Sequence, residues 1–209
     1  MKSFKSLKVS YIKNKHRIFL ERNNFRQLKN GEVLVKVKYS GINYKDAISV
    51  TGINKIIKCE SLVPGLDFSG TVIESNSKKF LKGQKVLASG SGLGEVIDGG
   101  FTEYAYVSNK ILIHIPDNLT PLSAMQIGTA GFTAAIAIDK MLLNKQKAND
   151  GPIIVTGATG SVGSISINIL NNIGFETIAL TRKTRSLKYL ESIGAKKIIK
   201  FNPSMNKKI

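Results

Sequence analysis

Apolar and polar side chains alternate through the first 120 residues. In EVLVKVKYS, residues 32–40, Val33, Val35, Val37 and Tyr39 fall on one face and Lys36, Lys38 and Ser40 on the other, the period of a half-buried strand. GLDFSGTVIES, GQKVLASG, GGFTEYAYVS and ILIHIP follow, separated by Gly and Pro, and together they predict a compact β barrel or sandwich. At Thr120 the period changes. Thr120 and Pro121 supply an N-cap and a first-turn proline. LSAMQIGTAGFTAAIAIDKMLLNK then reads as two helices with a break near Gly128 and Gly131, and KQKANDG as a turn. PIIVTGATGSVGSISINILNNIGFETIALTRK predicts strand, glycine turn, helix and strand. SLKYLESIGA adds a helix and KKIIKF a strand. Strands alternating with helices imply a parallel sheet with right-handed crossovers. The fold class is therefore α/β, with a β-rich domain over residues 1–120 and a doubly wound domain beginning over residues 121–209.

Only one βαβαβ half of the doubly wound sheet precedes FNPSMNKKI, so we expect a C-terminally truncated chain. Such a half leaves an open apolar edge, and residues 1–209 by themselves are expected to be aggregation-prone or poorly folded.

Composition narrows the chemistry. The 209 residues are 42% hydrophobic and include one cysteine, Cys59, which excludes an internal disulfide and a four-thiolate zinc knot. The basic N-terminus has no apolar stretch of signal-peptide length, and no later segment presents roughly 18 consecutive apolar residues. A cytoplasmic protein outside the membrane is the expectation. The net charge of +17, from 31 Lys and Arg against 14 Asp and Glu, suggests attraction to polyanions. The lysines are scattered, as solvated surface lysines are, and no basic stripe or aromatic platform supports a nucleic-acid-binding protein. Between these readings lies a basic surface that draws in a phosphate-bearing cofactor or substrate.

The glycine turn is more specific. Strand 153–156 runs into Gly157-Ala158-Thr159-Gly160-Ser161-Val162-Gly163, with Ala158 in the first position of a GxGxxG fingerprint. Gly160 permits close backbone approach to a pyrophosphate, Gly163 permits close packing of helix on strand, and the opening amides of the helix point at phosphate. Thr159, Gly160, Ser161 and Val162 are the expected phosphate-turn contacts. The second strand ends in Thr181-Arg182-Lys183, where an NAD-selective site would place a carboxylate for the ribose 2′-hydroxyl. A hydroxyl and two cations suit a 2′-phosphate, so NADPH is the expected cofactor, held at Thr181, Arg182 and Lys183. The competing reading is two solvated loop cations.

A polar island closes the list of candidates. SGINYKDAISVTG, residues 40–52, sets Asn43, Tyr44, Lys45 and Asp46 side by side after a strand. Together with VPGLDFSGTV, GQKV, GGFTEYAYV, GTAGFTAA and VTGATGSVG it resembles the medium-chain dehydrogenase/reductase superfamily. The wording is most similar to the zinc-free quinone-oxidoreductase-like group, and NYKDA, VPGLDFSGTV and IGTAGFTAA to its acryloyl-CoA reductase branch. The resemblance implies a GroES-like N-terminal domain followed by a Rossmann domain. Zinc-dependent members carry a cysteine ligand near Asn43 and Tyr44 and a histidine-glutamate pair where this chain has Leu66-Asp67. His16 and His114 lie in unrelated segments, so no metal is expected.

The resemblance further places Tyr44 beside the nicotinamide, as a cofactor contact and the candidate catalytic hydroxyl, and Thr129 at the interdomain helix break facing the same ring. Asn43, Lys45 and Asp46 are expected to form a local network that positions a loop, and Asp67 to brace the cleft. The implied activity is NADPH-dependent reduction of the C=C bond of an α,β-unsaturated thioester, acryloyl-CoA to propionyl-CoA being the most specific form. Reduction of quinones or small enones is the alternative. A nucleic-acid-binding or inactive truncated family member is the alternative of another class. Members commonly pair through the nucleotide-binding domain, which implies a homodimer for the full-length protein.

Overall fold

The computed structural model describes residues 3–13 and 15–201. The chain divides into two compact units, residues up to Thr129 and residues from Ala130. In the first, β1 (Ser3–Ile12) pairs antiparallel with β2 (Lys15–Asn24), and β3 (Glu32–Ser40) leads to helix α1 (Tyr44–Thr51). The two-residue strand β4 (Ser61–Leu62) pairs with β1, giving a three-stranded sheet of order β2-β1-β4. β5 (Asp67–Ser75), β6 (Lys85–Ser89), β7 (Tyr104–Ser108) and β8 (Leu112–His114) join β3 in a five-stranded antiparallel sheet of order β7-β3-β5-β6-β8.

The alternation in β3 produces the expected faces. Val33 and Val35 enter a core with Phe68, Val72, Phe80 and Val86, and Lys36 is exposed. Leu34 points the other way and packs with Phe4 and Tyr104. Two register shifts between β3 and β5 bend this pair. Gly70 lies between them, where a Cβ would strike the Lys36 carbonyl oxygen. That close approach is why β5 has glycine in a buried strand interior.

SGINYKDAISVTG, expected as a loop, is a helix over most of its length. Asp46 reaches back to accept a hydrogen bond from the Asn43 N–H at 2.8 Å, half of a capping box, and Gly52 ends the helix at φ 71°.

Helix α2 (Pro121–Leu143) follows the predicted N-cap: Ser123 N donates to Thr120 Oγ1 at 3.1 Å. The break falls at Gly128, with φ 48° and ψ −158°, and the helix continues through Gly131. The first unit extends past Thr120 because Ser69 Oγ donates to the Pro121 carbonyl at 2.6 Å and Asp67 binds Thr129. By length and composition α2 is apolar enough to cross a membrane. The Gly128 break leaves about 15 residues of continuous helix, roughly 22 Å against a hydrocarbon core of ~30 Å.

The second unit contains β9 (Ile153–Thr156), α3 (Ser161–Asn172), β10 (Thr177–Thr181), α4 (Leu187–Ser192) and β11 (Lys197–Lys200). The strands are parallel in the order β11-β10-β9, the 3-2-1 order of one half of a Rossmann sheet. Val155, Ala158, Ile167, Leu170, Ala179 and Leu190 form its core.

Gly70→Ala tests the packing of β5 on β3. A methyl group directed at a backbone carbonyl is expected to destabilise the protein by about 3 kcal/mol, read from chemical denaturation, because neither strand can move without disturbing the core.

Candidate active site

In the second unit, the chain after β9 turns at Gly157, whose φ of 59° is a left-handed conformation, and enters α3 through Gly160 as N-cap. Gly160 N donates to Gly157 O at 2.8 Å, so its amide closes the turn and does not face a ligand. Ser161 and Val162 open the helix on an exposed edge, with the unsatisfied N–H groups of a helix N-terminus. Thr159 is half-buried just before them. Gly163 is buried, and a Cβ there would come within 2.6 Å of Gly157 O. The turn and the 12-residue helix therefore form a tight cradle of the kind a pyrophosphate enters.

The end of β10 lies beside that turn, since β9 and β10 are paired up to Thr156 and Leu180. Thr181 is buried, and its hydroxyl accepts a hydrogen bond from Lys183 N at 3.0 Å. It thus braces the loop that presents the exposed Arg182 and Lys183. Among the described residues neither cation has a carboxylate partner. The residues of this unit fit a dinucleotide carrying an extra phosphate.

In the first unit, three chain segments converge on Asp67, which begins β5 and is 1% exposed. Its Oδ2 accepts from Thr129 N at 2.8 Å, from Thr129 Oγ1 at 2.8 Å and from Asn43 Nδ2 at 3.2 Å. Its Oδ1 is buried without a hydrogen-bond partner. Gly41 leaves the space that Oδ1 occupies, because a Cβ there would overlap that oxygen. On the other side, a Cβ on Gly128 would lie 3.0 Å from Oδ2. Ser89, opposite Asp67 across β5 and β6, has its Oγ 2.9 Å from Thr129 Oγ1.

Asp46 stands behind this group, 2% exposed. It accepts from the backbone N–H groups of Leu66 at 3.0 Å and Asn43 at 2.8 Å. Burial raises its pKa above the ordinary aspartate value and the nearby Asp67 carboxylate adds to the rise, while the hydrogen bonds from Asn43 and Leu66 oppose it.

Tyr44, in the first turn of α1, is 82% exposed, and its hydroxyl has no hydrogen-bond partner among the described residues. Lys45 leaves the network expected for it and pairs with Glu95 at 2.6 Å. Asn43 links the helix carrying Tyr44 to the carboxylate that holds Thr129, so these two candidates share one scaffold. Ser89 is the member that sequence reasoning missed. VLAS reads as an ordinary strand end, and nothing local marks its last hydroxyl. Among the described residues no three His, Cys, Asp or Glu side chains cluster as metal ligands.

Residues 29–117 match the family model described as the alcohol dehydrogenase GroES-like domain. The chain is 41% identical over 167 residues to the putative quinone oxidoreductase YhfP of Bacillus subtilis, covering 80% of this chain and 51% of that protein. It is 40% identical over 173 residues to the probable acrylyl-CoA reductase AcuI of Escherichia coli, covering 83% of this chain and 53% of that protein. The chain thus spans about half the length of the curated relatives it matches. Among solved structures, Escherichia coli YhdH with bound NADPH superposes with a TM-score of 0.88 at 37% identity, covering 93% of this chain and 60% of that one. Bacillus subtilis YhfP with NAD bound gives 0.89 at 37% identity, covering 96% and 61%.

The raised pKa of Asp46 sets the sign of a pH effect. The folded state holds this proton more tightly than the unfolded chain, so stability falls as pH rises from the ordinary aspartate range through the raised value and then levels off. Subtracting the melting temperatures of an Asp46→Asn variant from those of the parent, from about pH 4 to about pH 8, isolates this contribution. The difference should decline with rising pH; a flat difference would assign the effect to another group.

Proposed function

We propose that this chain, which belongs to the medium-chain dehydrogenase/reductase superfamily among the relatives of quinone and acrylyl-CoA reductases, is part of an NADPH-dependent enoyl-thioester reductase. The observation that carries the cofactor assignment is the pair of exposed cations, Arg182 and Lys183, which have no carboxylate partner among the described residues and lie beside the glycine turn where an NAD site would have a carboxylate. Ser161 and Val162 offer their N–H groups to the pyrophosphate, and Thr159 and Gly160 shape the approach. Arg182 and Lys183 hold the 2′-phosphate on a loop braced by Thr181. In the first unit, Thr129 and Tyr44 are the candidate contacts of a nicotinamide ring. The NADPH bound to YhdH supports this reading, and the NAD bound to YhfP makes cofactor choice the point to measure.

Bound there, NADPH supplies the hydride that reduces the β-carbon of an α,β-unsaturated carbonyl compound. The α-carbon then needs a proton, and the developing charge on the carbonyl oxygen needs a hydrogen-bond donor. Tyr44 provides both the exposed hydroxyl and a rigid mount, the first turn of a helix fixed through Asn43. No metal enters this scheme. Acryloyl-CoA reduction to propionyl-CoA is the preferred substrate assignment, supported by the likeness to AcuI; the likeness to YhfP favours quinone or enone reduction as the second reading. A cytoplasmic homodimer completes the proposal.

Two measurements test it. Replacing Arg182 and Lys183 together by Ala should weaken NADPH binding on the order of 10–100-fold and leave NADH binding nearly unchanged, in direct titrations; a clear parental preference for NADH would overturn the cofactor assignment. Tyr44→Phe should lower kcat with acryloyl-CoA by about 100-fold with a small change in KM. Faster turnover of a simple quinone than of acryloyl-CoA at matched concentrations would reverse the substrate ranking.

A further inference from the structure

In a chain of net charge +17, the corner around Thr129 contains two buried carboxylates and, among the described residues, no cation paired with either. The hydrogen-bond partners of Asp67 and Asp46 are neutral: the amides of Thr129, Asn43 and Leu66, the Thr129 hydroxyl and the Asn43 side chain. Neutral donors solvate a charge without cancelling it. A brace for Thr129 alone would need only an acceptor, which an asparagine supplies at lower cost in a buried place. Oδ1 of Asp67 has no hydrogen-bond partner among the described residues.

The protons show where this charge is directed. Thr129 has one hydroxyl proton, and it goes to Asp67 Oδ2 at 2.8 Å. Ser89 must then be the donor in its 2.9 Å contact with Thr129 Oγ1. Both hydroxyl dipoles are aligned by the carboxylate, and Thr129 Oγ1 has no proton to offer a ligand. The surroundings of Thr129 are therefore rich in acceptors and negative in potential.

We propose that Asp67 is a positioning residue whose buried carboxylate, with no paired cation among the described residues, acts through Thr129 to favour the cationic oxidised nicotinamide over the neutral reduced one. This rests on the NADPH reading above. Loss of hydride breaks the C4–H bond with both electrons and leaves the ring with one positive charge, while the substrate's β-carbon gains the pair. A fixed negative charge held in a water-poor corner lowers the free energy of that change, and it needs no reorganisation when the charge appears. The same carboxylate orients Thr129 and assists release of the hydride.

The test is equilibrium binding to the purified protein that carries this chain, with NADP⁺ and NADPH titrated separately. Asp67→Asn should raise the ratio of the NADP⁺ to the NADPH dissociation constant by about tenfold, and Asp67→Glu should leave that ratio near the parental value. A residue that only braces the fold would move both constants together. An unmoved ratio in a folded Asp67→Asn protein, with both nucleotides still bound, overturns this inference alone. The parental protein gives a second reading that needs no variant: it should bind NADP⁺ at least as tightly as NADPH, and a preference for NADPH of more than about tenfold overturns the inference. Failure to bind either nucleotide overturns the cofactor assignment and this inference with it.

Discussion

Three hydrogen-bond donors converge on one oxygen of a buried carboxylate, and the first unit is organised around that convergence. Asp67 opens β5, fixes the backbone and hydroxyl of Thr129 at the helix break, and holds Asn43 at the start of α1. Each of these segments would otherwise have a buried polar group to satisfy by other means. Removing Asp67 would leave several such groups without partners at once, a larger penalty than the loss of any one bond. Gly41 and Gly128 follow from the same constraint, since the carboxylate fills the space on both sides that a Cβ would take.

The second unit is governed by a different constraint, the closeness of backbone to backbone at the phosphate turn. Gly157 takes a left-handed conformation, and Gly163 leaves room for the Gly157 carbonyl. The amide of Gly160 closes the turn, so ligand-facing capacity passes to the amides that follow it. Arg182 and Lys183, without carboxylate partners among the described residues, stand at the next strand end on a loop tied down by Thr181. The unit thus presents the fixed dipoles of a helix N-terminus at one place and full positive charges at another.

Much of this was legible in order along the chain. The period-two alternation of Val33 and Val35, the N-cap at Thr120, and the strand, glycine turn and helix from Ile153 are local signals, and local signals survive in one dimension. The polar island 40–52 was harder. Its side chains suggested a loop, yet its helix is secured by Asp46 and Gly52, a capping pattern obscured by the crowd of polar residues. The break in α2 could be placed only near two glycines. Gly128 is the one that opens the helix, and it lies against Asp67, which is distant in sequence. Thr181 looked like a ligand contact because strand-end hydroxyls often are; its burial became visible only once the parallel sheet was assembled.

The amino-acid sequence by itself determined the α/β class, the order of elements, the dinucleotide turn and the absence of a carboxylate at the end of β10. Each of these depends on residue type at short spacing, where backbone geometry leaves few choices. Tertiary structure alone decided that Asp67, Asn43, Ser89 and Thr129 form one network, that two carboxylates share a buried corner with no paired cation among the described residues, and that Lys45 pairs elsewhere. These facts depend on which strand ends meet in space. Hydrogen-bond partners separated by 24, 40 and 62 residues leave no periodic trace in a linear sequence.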